Sequence, residues 1–208
     1  MIRKISLLLI SILATSLCFA QGDQYGWTRD QFNLGFSTTT LTVTDMPALK
    51  SNFSGSLSVG RTFYLHRPIG KFLRFGIDAT WFDLNYTNYK IKHITHSETN
   101  NYQYHQGELA VQVGPSITLK PVGKFHIHGY FKYAPALSTL FTDKGTYYAY
   151  APYFVGGATI SVGPLGVGLE SRLVECNYAP FRADGKESAM DDIKSSYVGW
   201  RVYLTFRF

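Results

Sequence analysis

Apolar and small or polar residues alternate along most of the chain from Phe32 onward. Between Leu73 and Trp81, for example, every second residue is apolar and the residues between them are polar or glycine. A period of two predicts β-strands with one apolar and one polar face, and no 3.6-residue helical period is seen. Eight segments show the pattern: 32–43, 53–65, 73–81, 108–119, 125–133, 153–162, 165–173 and 197–208. In the first of these the phase holds at Phe36 and breaks at Leu41.

The connections between these segments alternate in length. Three are short and rich in turn-forming residues, at 66–71, 120–124 and 163–164. Four are polar and mostly longer, at 45–52, 87–105, 142–151 and 178–195. Short turns at one end and long loops at the other are typical of an up-and-down barrel in the outer membrane. The sequence therefore predicts an all-β fold, an eight-stranded antiparallel up-and-down transmembrane β-barrel.

Charged residues on the polar faces decide which face points inward. A soluble lipocalin-like barrel, the alternative, would place the apolar face inside and the charges in water. In a membrane barrel the apolar face meets lipid, and the charged side chains can pair across a polar lumen. We therefore expect a polar network in the lumen made of Arg74, Asp78, Glu108, His126, His128, Lys132, Glu170, Arg172 and Arg201.

The composition agrees with this interpretation. Aromatic residues make up 16% of the chain and charged residues also 16%, against about 25% charged residues in a typical soluble domain. Disorder is excluded because it requires few aromatic residues and high charge. The rings cluster near strand ends, where membrane proteins concentrate amphipathic aromatic side chains, for example Trp81, Tyr86, Tyr89, Tyr147, Tyr148, Tyr150 and Trp200.

Residues 1–20 have the features of a secretory signal peptide. Arg3 and Lys4 precede an apolar stretch, and Ala20 ends a small-residue cleavage site. We therefore expect a cleaved signal peptide at 1–20 and one barrel domain at 21–208. Removal of the signal leaves 18 basic and 14 acidic residues, a net charge of +4 that gives no argument for nucleic-acid binding. Only Cys176 remains, so the mature chain cannot form an internal disulfide.

The signal peptide, the eight amphipathic strands, the alternating loop lengths and the C-terminal segment together resemble the small eight-stranded outer-membrane β-barrel proteins. In that family, a chain that ends on Phe after alternating apolar residues carries the recognition signal for the barrel-assembly machinery. The matching residues are Trp200, Val202, Leu204, Phe206 and Phe208. The resemblance implies a Gram-negative cell outer membrane, contact with its lipid and lipopolysaccharide, and assembly by that machinery. It implies no particular activity, because one fold hosts many functions.

The sequence raises three candidate functions, namely a metal site, an acyl-transfer enzyme and a pore. Loop 87–105 carries His93, His96, Glu98 and His105, but these lack the helical spacing of a strong metal motif, and no metal or other cofactor is expected. No His-x-Ser pair, the motif of outer-membrane lipid A deacylases, occurs in the chain. An eight-stranded barrel is wide enough only for its own side chains, so an open pore is not expected. A narrow proton or ion path through His126, His128 and Lys132 is the alternative left open.

The sequence thus predicts a monomeric, non-enzymatic barrel whose external loops contact a partner, a host factor or lipopolysaccharide. Two alternatives remain, a lipid A-modifying acyl hydrolase or transferase and an accessory barrel of a secretion or assembly complex. Basic loop residues that could meet lipopolysaccharide phosphates are Lys90, Lys92, Lys144, Arg182 and Lys186.

Overall fold

The structure is a computed structural model that describes residues 26–43, 49–95, 98–142, 145–180 and 193–208. The predicted signal peptide and its cleavage site lie outside these residues. Within them the chain forms ten strands: β1 (Asp30–Val43), β2 (Leu49–Tyr64), β3 (Leu73–Thr95), β4 (Glu98–Leu119), β5 (Phe125–Ala134), β6 (Ala136–Thr142), β7 (Gly145–Tyr150), β8 (Tyr153–Val162), β9 (Leu165–Pro180) and β10 (Ile193–Arg207).

The strands form one antiparallel sheet, which closes into a barrel because β10 pairs with both β1 and β9. β5 and β6 together form one strand of the barrel wall, which is interrupted at Pro135. β7 and β8 together form another, which is interrupted at residues 151–152. β4 accordingly pairs with β5 and then with β6. Proline has no N–H to donate to the sheet, which explains an interruption at Pro135 and at Pro152. When each of these two interrupted strands is counted once, the barrel wall has eight strands. The predicted fold is therefore confirmed.

The two faces of the wall differ sharply in polarity. Outward residues such as Phe36 and Val162 are 67% and 62% exposed, whereas the inward Asp78 and Asp83 are 0% and 1% exposed. The predicted apolar and polar faces of β2, β4, β5, β8, β9 and β10 therefore point outward and inward, respectively. A lipocalin-like arrangement with an apolar interior is wrong for this chain. None of the described residues forms a helix long and apolar enough to cross a membrane.

The strands extend much further into the long connections than the sequence pattern predicts. The predicted loop 87–105 is largely a β-hairpin, because β3 continues to Thr95, β4 begins at Glu98, and Tyr89 lies opposite Tyr104. β7 similarly occupies most of the predicted loop 142–151. The sequence alternation fades here because neither face of these extensions is uniformly apolar, so period alone does not detect them.

A β-bulge changes the phase of β3. Its pairing with β4 shifts register between Thr80 and Asp83, and Trp81 and Phe82 both point outward, with 59% and 40% exposure. Beyond the bulge, Asp83 and Asn85 point into the barrel. The pairing of β1 with β2 shifts between Phe36 and Thr40, just before the break in the predicted phase.

The short turns and the first and last described residues lie at the same end of the barrel. Backbone hydrogen bonds link them around the rim, from Lys120 N to Phe72 O at 2.7 Å and from Arg207 N to Pro164 O at 2.7 Å. Arg29 N donates to Phe208 O at 2.9 Å and joins the start of the described chain to its end. We call this end the turn rim, and the opposite end the loop rim.

Candidate functional site

The centre of the lumen is built around Asp83. Its carboxylate accepts hydrogen bonds from Arg172 Nη2 at 2.5 Å, from Arg201 Nη2 at 3.0 Å and from Gln112 Nε2 at 2.5 Å. These donors come from β9, β10 and β4, so Asp83 ties together strands on different sides of the barrel. Arg172 is 3% exposed and Arg201 is 3% exposed, so water screens these ion pairs very little.

Two further carboxylates complete this cluster. Arg172 donates from Nη1 to Glu108 at 3.0 Å and from Nε to Glu170 at 2.8 Å, while Arg201 Nη1 lies 3.3 Å from Glu170. Lys132 supplies a third cation nearby, with its Nζ 3.1 Å from Thr80 Oγ1 and 4.2 Å from the centre of the Tyr130 ring. Three carboxylates thus lie among three cations, as the cost of burying an unpaired charge requires.

Tyrosine hydroxyls donate further hydrogen bonds to two of these carboxylates. Tyr130 donates to Glu170 Oε2 at 2.9 Å, and Tyr153 donates to Glu108 Oε1 at 2.9 Å. Tyr203 lies 2.9 Å from the Tyr130 hydroxyl and 2.6 Å from Thr159 Oγ1, so the network continues toward the turn rim. We call the three carboxylates, the three cations and these tyrosines the central cluster.

Glycines on neighbouring strands make room for two of these rings. Tyr203 lies opposite Gly168 in the β9–β10 register, and Tyr130 lies opposite Gly157 in the β5–β8 register. A Cβ atom added at Gly168 would meet the Tyr203 ring, and one added at Gly157 would come 2.5 Å from the Tyr130 hydroxyl oxygen. These two glycines therefore make room for the Tyr130 hydroxyl, which donates to Glu170, and for the Tyr203 hydroxyl beside it.

A second cluster surrounds Asp78, one layer nearer the turn rim. His128 Nε2 lies 3.2 Å from Asp78 Oδ2, and Thr118 Oγ1 lies 2.8 Å from His128 Nδ1. Thr62 donates to Asp78 Oδ1 at 2.5 Å and accepts from Arg207 Nη2 at 3.0 Å. These residues form a hydroxyl–imidazole–carboxylate chain, but all of them are at most 2% exposed, so no substrate reaches the hydroxyl groups.

The turn-rim end of the lumen is closed by Trp27, which precedes β1 and is 1% exposed. Its ring contacts Tyr64 and His126 edge to face, at centroid distances of 5.6 and 5.9 Å. The Arg74 guanidinium lies over Trp27 at 5.4 Å and over Tyr64 at 4.1 Å, and its Nε donates to the His66 carbonyl oxygen at 3.1 Å. Trp27 and these neighbours form a stopper at the mouth of the barrel.

Beside buried polar side chains such as Thr39, Ser54 and Thr87, the loop-rim part of the lumen contains an apolar section. Its walls are made of small and aromatic side chains that are at most 9% exposed, and Tyr89 Oη donates to Gln106 at 2.8 Å. Small residues at inward positions next to the strand interruptions allow this close packing: Ala110, Ala134, Ala136, Ala149 and Ala151. The lumen therefore combines polar clusters with one apolar section.

The structure buries all nine residues predicted for the lumen, but it distributes them over three places. Glu108, Lys132, Glu170, Arg172 and Arg201 belong to the central cluster, Asp78 and His128 to the second, and Arg74 and His126 to the stopper. Two important residues were missed. Asp83 lies beyond the bulge, where strict alternation from Trp81 assigns it to the outer face, and the Trp81–Phe82 pair was the available signal. Trp27 lies outside the strands, so the two-residue alternation of the strands does not indicate its position.

The loop-rim candidates are only partly described. The side chains of His93, His96 and Glu98 lie outside the described residues, as do those of the predicted basic residues Lys90, Lys92, Lys144, Arg182 and Lys186. His105 Nδ1 lies 2.6 Å from the Tyr86 hydroxyl oxygen, on the outer face. Among the described residues no group of three or more His, Cys, Asp or Glu side chains could hold a metal ion. Of the predicted aromatic belt, Tyr86, Tyr148 and Tyr150 point outward, whereas Tyr89 and Tyr147 point inward.

The C-terminal strand presents the predicted assembly residues on one face. Trp200, Val202 and Leu204 are 52–58% exposed on the outside of β10. Phe206 packs against Phe32 of β1 at a ring distance of 6.3 Å, at the seam where the barrel closes. Phe208 follows β10 at the turn rim.

No protein-family model and no curated protein matches the chain. Among solved structures, it is similar to Neisserial surface protein A, with 11% identity and a TM-score of 0.47 over 86% of this chain and 97% of that one. It is also similar to Ail, the attachment invasion locus protein of Yersinia pestis, with 8% identity and a TM-score of 0.40 over 87% and 99% of the two chains. The outer membrane enzyme PagL matches with 11% identity and a TM-score of 0.30 over 80% and 97%. At such identities the likeness concerns the course of the backbone only.

Proposed function

We propose that this chain is an integral β-barrel of a Gram-negative outer membrane, with a filled lumen and no catalytic activity, that acts through its external loops. One observation carries the proposal, namely that the large apolar side chains lie outside and the ion pairs inside. Outward residues such as Leu173 and Leu137 are 61% and 62% exposed, and similar residues cover the whole wall. In water such a surface would drive aggregation, whereas in lipid it is the favoured one.

The lumen supports a structural role rather than transport. The stopper around Trp27, the Asp78 cluster, the central cluster and the apolar loop-rim section follow one another along the barrel. Each section fills the interior with side chains that bond or pack to one another, as expected for eight strands. A continuous proton or ion path through His126, His128 and Lys132 would have to cross the ring of Trp27 and the Tyr130–Tyr203 pair.

The orientation and partners follow from the barrel type. Short turns and chain ends of such barrels face the periplasm and the long loops face outward, so the turn rim is periplasmic in this proposal. Phe208, Phe206, Leu204, Val202 and Trp200 present the signal for the barrel-assembly machinery. The loops meet lipopolysaccharide or a protein partner, and the barrel closes on itself without a second copy, so we propose a monomer.

A lipid A-modifying enzyme receives less support. Acyl transfer needs a hydroxyl or thiol, a base and an orienting group at a place that substrate can reach. Thr118, His128 and Asp78 form such a set only in the closed interior. On the outer face, His105 Nδ1 lies near Tyr86 Oη and Asn88 Nδ2, and within the described residues no carboxylate orients this imidazole.

The experiment is to express the full chain in a Gram-negative host and follow three readouts. We expect to find the chain in the outer membrane with heat-modifiable gel mobility. We also expect no single-channel steps in planar bilayers and lipid A of unchanged mass. Recovery from the soluble periplasm would contradict the membrane barrel. Reproducible conductance steps would contradict the filled lumen, and a shortened or extended acyl pattern of lipid A would contradict the non-enzymatic role.

A further inference from the structure

The turn rim carries a basic cavity next to the stopper. The cavity has a volume of about 540 Å³ and is lined by Trp27, Arg67, Pro68, Lys71, Lys120 and Gly123. Its size lies within the range of about 300–1,000 Å³ that is typical of ligand sites. Three of its six lining residues are cationic and none is acidic, so it favours an anion.

These cations are available to a ligand. Lys120 uses one donor on the Gly26 carbonyl oxygen at 3.0 Å, and an ammonium group has three donors. Within the described part of the chain, no carboxylate pairs with Arg67, Lys71 or Lys120. Arg61, on the same rim but outside the cavity, has Asp30 as a partner at 3.6 Å. The cavity thus concentrates positive charge that no carboxylate of the described residues neutralises.

The two turns that form the cavity also carry exposed apolar side chains. Ile69 and Phe72 are 51% and 49% exposed on the first turn, and Val122 is 76% exposed on the second. Lys71 stands in this first turn with a φ of 67°, a left-handed conformation that side chains other than glycine rarely adopt. Cations beside exposed apolar groups match a surface where phosphate groups border acyl chains.

We infer that this cavity binds the phosphate of an anionic phospholipid headgroup in the periplasmic leaflet, with Arg67, Lys71 and Lys120 as its ligands. The guanidinium of Arg67 can hold two phosphate oxygens at once, while the two lysines act as point charges. The exposed apolar residues of the turns lie against the first part of the acyl chains. This inference rests on the proposed membrane location, because only there does the turn rim meet the periplasmic leaflet.

The test uses the full-length mature barrel, folded and released from detergent for native mass spectrometry with equal amounts of phosphatidylglycerol and phosphatidylcholine. The wild type should retain phosphatidylglycerol preferentially. Lys71→Gln and Lys120→Gln should each lower the ratio of retained phosphatidylglycerol to phosphatidylcholine about fivefold, the effect of one basic group beside an anionic lipid. The matched control is Lys124→Gln, an exposed lysine of the second turn that does not line the cavity, and it should leave the ratio unchanged.

Three outcomes would overturn the inference. The wild type could show no headgroup preference, or Lys124→Gln could lower the ratio as much as the cavity variants, which would indicate general surface charge. A second sample contains only phosphatidylcholine and inorganic phosphate. Retention of phosphate there, without a headgroup preference in the first sample, would assign the cavity to the free ion. Failure of the proposed function is distinguishable, because then the wild type would not fold in a bilayer at all.

Discussion

Replacing Asp83 by Asn should strongly destabilise the barrel, because it leaves buried cations without their shared partner. Asn has nearly the shape of Asp but no charge, and it cannot accept hydrogen bonds with both side-chain termini. Arg201 would keep only Glu170, 3.3 Å away, while Arg172 would keep Glu108 and Glu170. The central cluster would then contain two carboxylates and three cations, so one buried positive charge would have no compensating negative charge.

The magnitude follows from that imbalance. Removal of one partner from a buried ion pair costs about 3–5 kcal/mol. With a urea slope of about 2 kcal/mol per molar, this corresponds to a fall of about 2 M in the unfolding midpoint. The assay is equilibrium urea unfolding in vesicles, with heat-modifiable mobility and tryptophan fluorescence as readouts of the folded barrel.

Two controls separate the ion-pair argument from a general effect of substitution. Asp30→Asn removes the carboxylate of the exposed Arg61–Asp30 pair and should cost about 0–1 kcal/mol. The double variant Asp83→Asn with Arg201→Gln restores the balance of charge and should be more stable than the sum of the single variants. If Asp83→Asn lowers the free energy of unfolding by less than about 1 kcal/mol, or if the effects in the double variant are fully additive, Asp83 is not the charge that the buried arginines require.

Three further predictions concern packing, the stopper and assembly. Gly168→Ala should cost about 1–3 kcal/mol because its Cβ meets the Tyr203 ring, whereas Gly107→Ala, with open space around it, should cost much less in the same urea assay. Trp27→Ala removes a buried ring and should lower stability by about 3–5 kcal/mol; a midpoint equal to that of the wild type would show that the stopper is not needed. Phe208→Ala should reduce the folded barrel in outer membranes while refolding of the purified chain stays normal, and unchanged cellular levels would count against the assembly signal.

The barrel itself was predictable because the two faces of its wall meet different surroundings, which produces a clear alternation of apolar and polar residues in the sequence. One face of each strand meets apolar surroundings and the other a polar interior, so residues such as Leu169 and Glu170 alternate with a period of two. The turns at 120–124 and 163–164 were predictable from Gly, Pro and Lys. Where neither face is uniformly apolar, as in the hairpin formed by the ends of β3 and β4, this alternation is weaker. The sequence pattern therefore predicts strands that are shorter than those in the structure.

The arrangement of the lumen was less predictable, because alternation assigns a residue to a face but not to a partner. Glu170 and Arg172 share a face and bond each other directly, but the bond from Arg172 to Asp83 depends on the bulge at Trp81 and Phe82. The position of Trp27 depends on the path of the segment before β1, which no periodic pattern encodes. The apolar loop-rim section depends on how inward alanines from different strands meet in space.

The three tryptophans of the chain report whether the apolar residues face lipid while the polar network faces inward. Trp81 and Trp200 are 59% and 52% exposed on the outer wall, and Trp27 is 1% exposed in the stopper. The measurement is fluorescence quenching by lipids with brominated acyl chains, on variants that each retain one tryptophan and carry Phe at the other two positions. We expect strong quenching of Trp81 and Trp200 and little quenching of Trp27. Quenching of Trp27 with protection of Trp81 and Trp200 would contradict this orientation of the two faces.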